Sequence, residues 1–221
     1  MSNLNFLHSG GNKVTLSAPD SNPSSNVTLK LPQADGSSGQ AMVTNGSGAL
    51  SFASMPTAGI TMMDQYFLSV QKTANGNAAI ALDTDFVRVS GTIPGAGHIG
   101  TGMTKNGEIF SFPSTGIYSI HFRACVMINS GSTGQRYAQN PIFITLNNGN
   151  TYNNVAMGLD GVENISGESF GNPIANFIFD VTDTSTHKCK FNIQSGESGW
   201  TAYVRNNRLD NVVTFTRLGD T

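Results

Sequence analysis

Few residues of this sequence stand at a spacing that supports catalysis. His121 lies on a strand-like run beside Ser119 and Arg123, and the other three histidines are scattered along the chain. The zinc-protease motif His-Glu-x-x-His does not occur, and we expect no Gly-x-Ser-x-Gly nucleophile elbow. A Gly-x-Gly-x-x-Gly spacing at residues 95–100 follows Pro94 in a loop and opens no helix, so it predicts no dinucleotide site. We expect His121 to be a packed or interface residue.

Two pairs of carboxylates lie close together in the sequence, Asp160 with Glu163 and Asp180 with Asp183. A glycosidase needs two carboxylates held roughly 5 to 9 Å apart in a cleft. Both pairs lie in segments that we interpret as loops or turns, so we expect no enzymatic activity. The oxygens of Asp160, Glu163 and Asn164 are hard ligands of the kind that calcium prefers. No cofactor is expected, and Ca²⁺ at this loop is the alternative that the sequence leaves open.

Three loops combine aromatic side chains with amides, which together stack on sugar rings and hydrogen-bond sugar hydroxyls. These loops span residues 131–139, 147–154 and 198–207. Their candidate surface-binding residues are Arg136, Tyr137, Tyr152, Trp200, Tyr203 and Arg205. Trp200 has a second interpretation, because a lone tryptophan in a β-rich chain is usually largely buried in the core.

The two cysteines, Cys125 and Cys189, are too few for a disulfide framework. Both lie in strand-like runs, which predicts two buried thiols. A disulfide between them stays open as the alternative, and we predict no metal site.

The composition indicates β structure. Gly, Asn, Ser and Thr make up 92 of the 221 residues, and these turn-forming and small residues are poor helix formers. The net charge is −2, with 12 Lys and Arg spread thinly, so we expect no nucleic-acid partner. No apolar run reaches the roughly 18 residues of a membrane span, so we expect no membrane insertion. The N-terminus lacks the basic start and apolar core of a secretory signal.

Residues 1–55 form a segment of short alternating runs and tight turns. Its predicted strands are Lys13–Leu16, Val27–Leu31, Ala41–Thr44 and Ala49–Phe52. Asn45-Gly46 between the last two is a strong hairpin signal. The segment has too few large apolar residues to bury a core by itself. It is therefore either disordered or shares one core with further copies of the chain, and its regular turn chemistry favours the shared core.

A linker at residues 56–61 precedes a longer domain at 62–221. The predicted strands of this domain are Tyr66–Val70, Phe86–Val89, Glu108–Phe112, Ile117–Ile128, Pro141–Leu146, Asn176–Val181, His187–Ile193 and Val212–Leu218. The run at 117–128 alternates with period two along its whole length, which a helix cannot satisfy. Many strands with turns between them, and no βαβ alternation, predict an all-β jelly-roll sandwich.

The N-terminal segment resembles a module that recurs in fibre and appendage proteins of bacteriophages, especially cyanophages and other marine phages. The resemblance rests on Leu31-Pro32-Gln33-Ala34-Asp35-Gly36-Ser37-Ser38-Gly39-Gln40 and Thr44-Asn45-Gly46-Ser47-Gly48-Ala49-Leu50-Ser51-Phe52. With residues 6–16 it covers nearly the whole segment. It implies a virion protein, synthesised in the cytoplasm of a bacterial host, whose N-terminal segment contacts other virion proteins.

The longer domain resembles the C1q/TNF-like jelly roll. The resemblance rests on residues 107–120, where an aromatic strand, a tight glycine turn and Gly-x-Tyr open a long central strand. Phe112, Gly116 and Tyr118 match that family's motif, whereas residues 130–175 depart from it in length. The resemblance implies a homotrimer with a core of aromatic and aliphatic residues along the threefold axis. The trimer or core candidates are Phe112, Gly116, Tyr118, Ile120, Phe122, Phe177, Phe179, Phe191 and Phe215.

The two resemblances predict a non-enzymatic virion protein, a trimeric tail fibre or receptor-binding appendage that contacts a glycan or protein of the host surface. One alternative is a capsid (head) fibre or decoration protein, which the shortness of the N-terminal segment favours. A further alternative is a bacterial C1q/TNF-like binding protein.

Overall fold

The computed structural model describes residues 4–17, 19–55, 59–74, 78–90, 93, 96–128, 135–163, 166–196, 200–204 and 208–221, and the side chains of all of these except 135 and 136. The chain divides into two compact units, Met1–Ala58, called the N-terminal unit, and Gly59–Thr221, called the head. The predicted linker at 56–61 spans this division. Every regular element among the described residues is a β-strand. In that part of the chain no helix has the length and apolar character to span a membrane.

The N-terminal unit contains two antiparallel hairpins. The first pairs β1 (Leu4–Leu7) with β2 (Lys13–Leu16), and the second pairs β3 (Gln40–Thr44) with β4 (Leu50–Ser54). The Asn45-Gly46 turn joins β3 to β4 as predicted, and Gly46 adopts a φ of 78°. This left-handed conformation is open to glycine without a steric penalty.

The predicted strand Val27–Leu31 is wrong. The backbone there makes an isolated parallel bridge between Lys30 and Ala49. Its hydrogen bonds run from Lys30 N–H to the Gly48 carbonyl at 2.8 Å and from Leu50 N–H to the Lys30 carbonyl at 2.9 Å. An alternating sequence makes a strand only where a partner strand is available, and the sequence pattern does not show the partner. The strand β1 was not predicted, because only its partner β2 stood out as an alternating run.

The head contains the strands β5 to β19, which are between 2 and 11 residues long. In chain order they are β5 (Met63–Leu68), β6 (Lys72–Thr73), β7 (Ile80–Ala81), β8 (Phe86–Arg88), β9 (Thr104–Asn106), β10 (Ile109–Ser111), β11 (Gly116–Arg123), β12 (Val126–Ile128), β13 (Gln135–Thr145), β14 (Asn153–Gly161), β15 (Ser169–Gly171), β16 (Ile174–Val181), β17 (Lys188–Gly196), β18 (Thr201–Ala202) and β19 (Val212–Gly219). The strand β14 was missed, because its Asn- and Gly-containing sequence was interpreted as loop.

Two sheets of the head face each other. One has the strand order β14-β13-β17-β10-β9, with β7 beside β17, and the other has the order β16-β11-β19-β5-β8. The chain alternates between them, from β10 to β11, from β14 to β16 and from β17 to β19, and these ladders are antiparallel. This alternation is the topology of a jelly roll. The predicted fold class, an all-β jelly-roll sandwich, is therefore confirmed. A third sheet has the order β15-β12-β18-β6.

The predicted strand at 117–128 is in fact two strands. The chain leaves β11 after Arg123 and enters β12, which belongs to the third sheet. The buried side chain of Asn211 fixes this change of sheet. Its Oδ1 accepts a hydrogen bond from Cys125 N–H at 2.8 Å, and its Nδ2 donates to the Tyr203 carbonyl at 2.6 Å. The apolar alternation continues across the break, so the sequence pattern could not reveal it.

Aromatic rings fill the space between the two facing sheets. The centroid of Phe110 lies 4.9 Å from that of Tyr66, 5.4 Å from that of Phe191 and 5.3 Å from that of Phe215. Edge-to-face and tilted ring contacts of this kind add to the stability that burial provides. Truncating one such ring to alanine in a close-packed interior costs about 3–5 kcal/mol.

One buried amide joins the two facing sheets. Asn140 on β13 donates through Nδ2 to the carbonyls of Phe122 at 2.7 Å and Pro173 at 3.0 Å, and its Oδ1 accepts from Gly158 N–H at 3.1 Å. A Cβ at Gly158 would lie 2.4 Å from the carbonyl oxygen of Ile174. Glycine at this position therefore lets β14 approach β16 of the opposite sheet.

We expect the substitution Asn140→Ala to lower the free energy of unfolding by about 3 kcal/mol, because it removes two hydrogen bonds to buried carbonyls and the side-chain acceptor of the buried Gly158 N–H. Urea denaturation measures this change. The matched control is Gln139→Ala, which removes a partly buried bond to Gln194 (2.8 Å) on the outer face of the same strand. The control should cost less than about 1 kcal/mol. Equal costs for the two variants would show that the amide does not join the sheets.

Candidate functional site

The predicted core or trimer residues lie inside a single chain. Those that are buried are Phe112, Gly116, Tyr118, Ile120, Phe122, Phe179, Phe191 and Phe215. Phe177 is partly buried and packs against the same cluster. Because the buried residues face the interior of one sandwich, they are not exposed for contact with another copy. A contact between copies of the head must come from residues on its outer surface.

Trp200 is wrong as a surface-binding residue. Its side chain is fully buried and belongs to the core cluster. Its backbone carbonyl accepts a hydrogen bond from Ala74 N–H at 2.9 Å, which places the residue beside β6. Burial removes the large apolar area of the indole from water, and this favours the core over the surface.

Of the other candidates from the aromatic loops, two tyrosines are partly buried and two arginines have no described side chain. Tyr137 and Tyr203 are half-buried. The ring of Tyr203 lies 5.2 Å from that of Phe170, and the two residues line a cavity of about 260 Å³. The side chain of Arg136 and the whole of Arg205 lie outside the described residues, so their surface role stays a prediction.

Tyr152 serves as a platform for a cation. The Lys190 ammonium lies 4.6 Å from the centroid of the Tyr152 ring and 2.7 Å from Oε1 of Glu108. Burial raises the pKa of the Tyr152 hydroxyl. The hydroxyl oxygen is enclosed and has no hydrogen-bond partner in the described part of the chain. This tyrosine is therefore already engaged through its ring by a lysine of the same chain.

The carboxylates considered for calcium lie near one cavity. Asp160 and Glu163 line a space of about 450 Å³ together with Glu168, and Asp160 Oδ2 accepts a hydrogen bond from Asn172 N–H at 2.7 Å. Asn164 lies outside the described residues. Within those that are described, no three His, Cys, Asp or Glu side chains are grouped as a metal ion would require. A calcium ion at this loop stays a prediction.

The expectation that all four paired carboxylates lie in loops is wrong for two of them. Asp160 lies near the end of β14, and Asp180 lies in β16. Asp183 does lie in a turn, where the Ser185 hydroxyl and N–H donate to Oδ1 at 2.7 and 2.8 Å. These hydrogen bonds, with that of the hydroxyl first, hold the pKa of Asp183 below its usual value.

The spacing Gly-x-Ser-x-Gly does occur in the sequence, at Gly167-Glu168-Ser169-Phe170-Gly171. The nucleophile elbow of that motif is a sharp turn between a strand and a helix. Here Ser169 begins β15, is 5% exposed and pairs with Ile128 of β12. The backbone is therefore strand rather than elbow.

His121 lies half-buried on the outer face of β11, and Gly95 of the glycine-rich spacing lies outside the described residues.

A cavity of about 490 Å³ lies beside β8 and β9, and no sequence pattern indicated it. Its lining includes Tyr66, Thr84, Arg88, Thr101, Thr104 and Lys105. These residues come from three separate parts of the sequence, and no motif links them. Only the arrangement of β5, β8 and β9 in the folded head brings them together.

The buried carboxylate of Asp64 positions Arg88 at this cavity. Arg88 Nε lies 3.1 Å from both oxygens of Asp64, and its Nη2 lies 3.0 Å from Oδ2. Met103 N–H donates to the same Oδ2 at 2.7 Å, and Arg88 Nη2 also donates to the Met103 carbonyl. A Cβ at Gly102 would lie 2.6 Å from Asp64 Oδ2. Glycine there lets the loop before β9 close against the ion pair.

Two cations at the cavity lie over neighbouring rings. Arg88 Cζ is 5.3 Å from the centroid of Tyr66, and Lys105 Nζ is 6.0 Å from that of Phe110. The two rings meet edge to face. Lys105 Nζ donates to the Asp83 carbonyl, and burial lowers the pKa of Lys105. Among the described residues no carboxylate lies within ion-pair distance of this ammonium. The cavity therefore holds one cation in a close ion pair, Arg88, and one, Lys105, on which Asp83 and Asp85 act only at longer range.

These features define the head as a jelly-roll sandwich with a cation-lined cavity beside β8 and β9. No family model matches the chain, and no curated protein matches it. Among solved structures, the chain is similar to murine APRIL crystallised at pH 8.5 and at pH 5.0, with 9% identity over 71% of this chain and 98% of the other, and TM-scores of 0.47 and 0.48. It is also similar to Eiger TNF from S. frugiperda, with 8% identity over 73% of this chain and 95% of the other, and a TM-score of 0.47. These similarities concern the fold alone.

We expect Arg88→Met to lower the free energy of unfolding by about 3–5 kcal/mol, because it leaves the buried Asp64 carboxylate without its cation. Adding Asp64→Asn to this variant should recover much of the loss, since the amide oxygen still accepts from Met103 N–H. Urea denaturation at neutral pH compares the three proteins. If the single variant loses less than about 1 kcal/mol, the ion pair does not support the cavity.

Proposed function

We propose that this chain is a non-enzymatic virion protein, a homotrimeric bacteriophage appendage whose head contacts a glycan or protein of the host surface. In this proposal the N-terminal unit attaches the head to other virion proteins, and the mature protein is located on the virion. The jelly-roll fold of the head and the resemblance of the N-terminal segment to phage appendage modules support the proposal.

The observation that carries the proposal is the exposure of the N-terminal unit. Among residues 4–17 and 19–55 no residue is buried. Large apolar side chains there stand mostly in water, including Leu7 at 77% and Leu31 at 74% exposure. A fold of this size is stable only when its apolar surface is removed from water. In the proposed assembly, further copies of the chain bury this apolar surface.

The first hairpin, formed by β1 and β2, has one exposed apolar face. The register pairs Leu4 with Leu16 and Phe6 with Val14, so all four side chains share one face. Each of them is between 56% and 68% exposed. The opposite face is polar at its centre, where the Thr15 hydroxyl donates to Asn5 Oδ1 at 2.7 Å. Because an isolated two-stranded hairpin is marginal in water, the apolar face is the contact that stabilises the hairpin in an assembly.

The head also offers a surface suited to self-association. On the outer face of the sheet that contains β16 and β19, Ile174, Ile178 and Leu218 are each half or more exposed. The outer face of the opposite sheet also presents exposed apolar residues, Met157 and Leu159 on β14, together with Lys188 and Lys190 on β17. Interfaces between identical chains are richer in apolar residues and poorer in charge than the remaining surface. In this proposal the face with the isoleucines is the contact between heads.

The N-terminal contact is tested by the substitution Phe6→Asp. Analytical ultracentrifugation of the unmodified protein should give the mass of three chains, and hydrogen exchange should show the amides of β1 and β2 protected. In Phe6→Asp a charge lies on the shared apolar face, so that protection should be lost while the head stays folded.

The matched control is Asn5→Asp, which places the charge on the polar face of the same strand and keeps the acceptor for Thr15. Its β1 and β2 amides should stay protected. A monomeric mass for the unmodified protein, or exchange in β1 and β2 as fast as in an unfolded chain, would contradict the proposal.

A capsid fibre or decoration protein is the second candidate, and the shortness of the 58-residue N-terminal unit favours it. Labelled antibody against the head, imaged on particles by cryo-electron microscopy, separates the candidates. Label at the tail, together with binding of purified protein to host cells, is the expected result. Label distributed over the capsid would favour the second candidate, and particles without label would refute both.

A further inference from the structure

The cavity beside β8 and β9 has hydrogen-bond donors that the fold leaves unused. The guanidinium of Arg88 binds Asp64 and Met103 through Nε and Nη2. Its Nη1 carries two further N–H groups, and the Tyr66 hydroxyl also interacts with the guanidinium. About a third of the Arg88 side chain is exposed. Asp64 thus holds the guanidinium in one orientation while part of it remains available to a ligand.

Lys105 supplies a second set of donors beside the first. Its ammonium donates to the Asp83 carbonyl, which leaves further N–H groups for another acceptor. The two nearby carboxylates, Asp83 and Asp85, lie 2.6 and 3.0 Å from Lys72 Nζ. Both carboxylates therefore form ion pairs with Lys72, while their charge still acts on Lys105 from beyond ion-pair distance. An acidic group entering the cavity meets an ammonium that lacks a carboxylate partner.

Hydroxyl groups surround the two cations. Thr84, Thr101 and Thr104 line the same cavity, and all three are exposed. A threonine hydroxyl both donates and accepts, as a sugar hydroxyl does. The cavity is a depression open to solvent, and its volume of about 490 Å³ lies within the range of small-molecule sites. The lining therefore combines two groups that bind an anion with three that bind a polyol.

We propose that this cavity binds a carboxylated sugar of the uronic-acid class. The sugar carboxylate binds between Arg88 and Lys105, because a planar guanidinium matches the geometry of a carboxylate. The ring hydroxyls bind the threonines. This inference names a ligand class for the proposed host contact and rests on that proposed function, since acidic polysaccharide is one chemistry that a host surface can offer.

The test is isothermal titration calorimetry of the purified full-length chain with free glucuronate. Glucose, which lacks the carboxylate, and acetate, which lacks the ring, are the comparison ligands. Glucuronate should bind at least about tenfold more tightly than either one, because only glucuronate engages both sets of groups. Binding of glucose as tight as that of glucuronate, or no heat of binding with millimolar glucuronate, would overturn the proposal.

Three variants assign the binding to this cavity. Lys105→Gln should weaken glucuronate binding at least about tenfold. Thr104→Val should weaken glucuronate but leave acetate unchanged. The matched control is Lys188→Gln, since Lys188 Nζ also donates to a backbone carbonyl, that of Thr184 at 2.6 Å, but lies outside this cavity. An unchanged affinity in Lys105→Gln, with an unchanged melting temperature, would overturn the proposal.

The outcomes also separate this inference from the proposed function. Free glucuronate is measured on protein in solution, so its binding does not depend on where the protein lies on a particle. Glucuronate binding without any label on virions would refute the proposed function alone. Label on virions and adhesion to host cells without glucuronate binding would refute the cavity as the acidic-sugar site and leave the appendage proposal in place.

Discussion

The fold of the head depends on a small number of buried polar side chains that pair backbone groups where strands end or cross. A sandwich without helices changes direction many times, and each change leaves N–H and carbonyl groups that must find partners. Asn140 supplies them between the facing sheets, and Asn211 supplies them where the chain passes from β11 to the third sheet. Asp64 does the same for the loop before β9. The aromatic core provides most of the stability, whereas these three side chains select one topology among those that the same apolar residues would permit.

Period-two alternation predicted most of the long strands of the head and its fold class, because a half-buried strand must place apolar residues on one face. The same alternation gave wrong predictions where no partner strand lay adjacent or where the chain changed sheets. At Val27–Leu31 the alternation has no partner strand beyond one bridge. Between Arg123 and β12 the alternation continues although the chain changes sheets, since the pattern records which face is apolar and not which strand is adjacent. The strand β14 was missed because a ladder with β13 overrides the weak β propensity of its Asn and Gly residues.

The candidate site could not be predicted in the same way. Asp64, Arg88 and Lys105 are far apart in the sequence, and each alone is an ordinary charged residue of a strand. Their relation arises from tertiary packing, where a buried carboxylate orients a guanidinium and neighbouring rings lie beneath both cations. The loop aromatics were selected by residue type, and Trp200 shows the weakness of that criterion, since the same ring that stacks on a sugar also fills a core. Burial of the thiols of Cys125 and Cys189 was predicted from their strand-like sequence and is confirmed, and no disulfide joins them.

The glycine at position 158 affects how the protein behaves when many molecules are crowded together. The strands β14 and β16 are the terminal strands of their sheets, and terminal strands present unpaired backbone groups on which aggregates grow. Because Gly158 carries no Cβ, the two terminal strands lie against each other and partly cover one another. Along this flank the head resists the addition of foreign strands. A side chain at 158 would separate the two strands and create an aggregation-prone margin, even in molecules whose core remained folded.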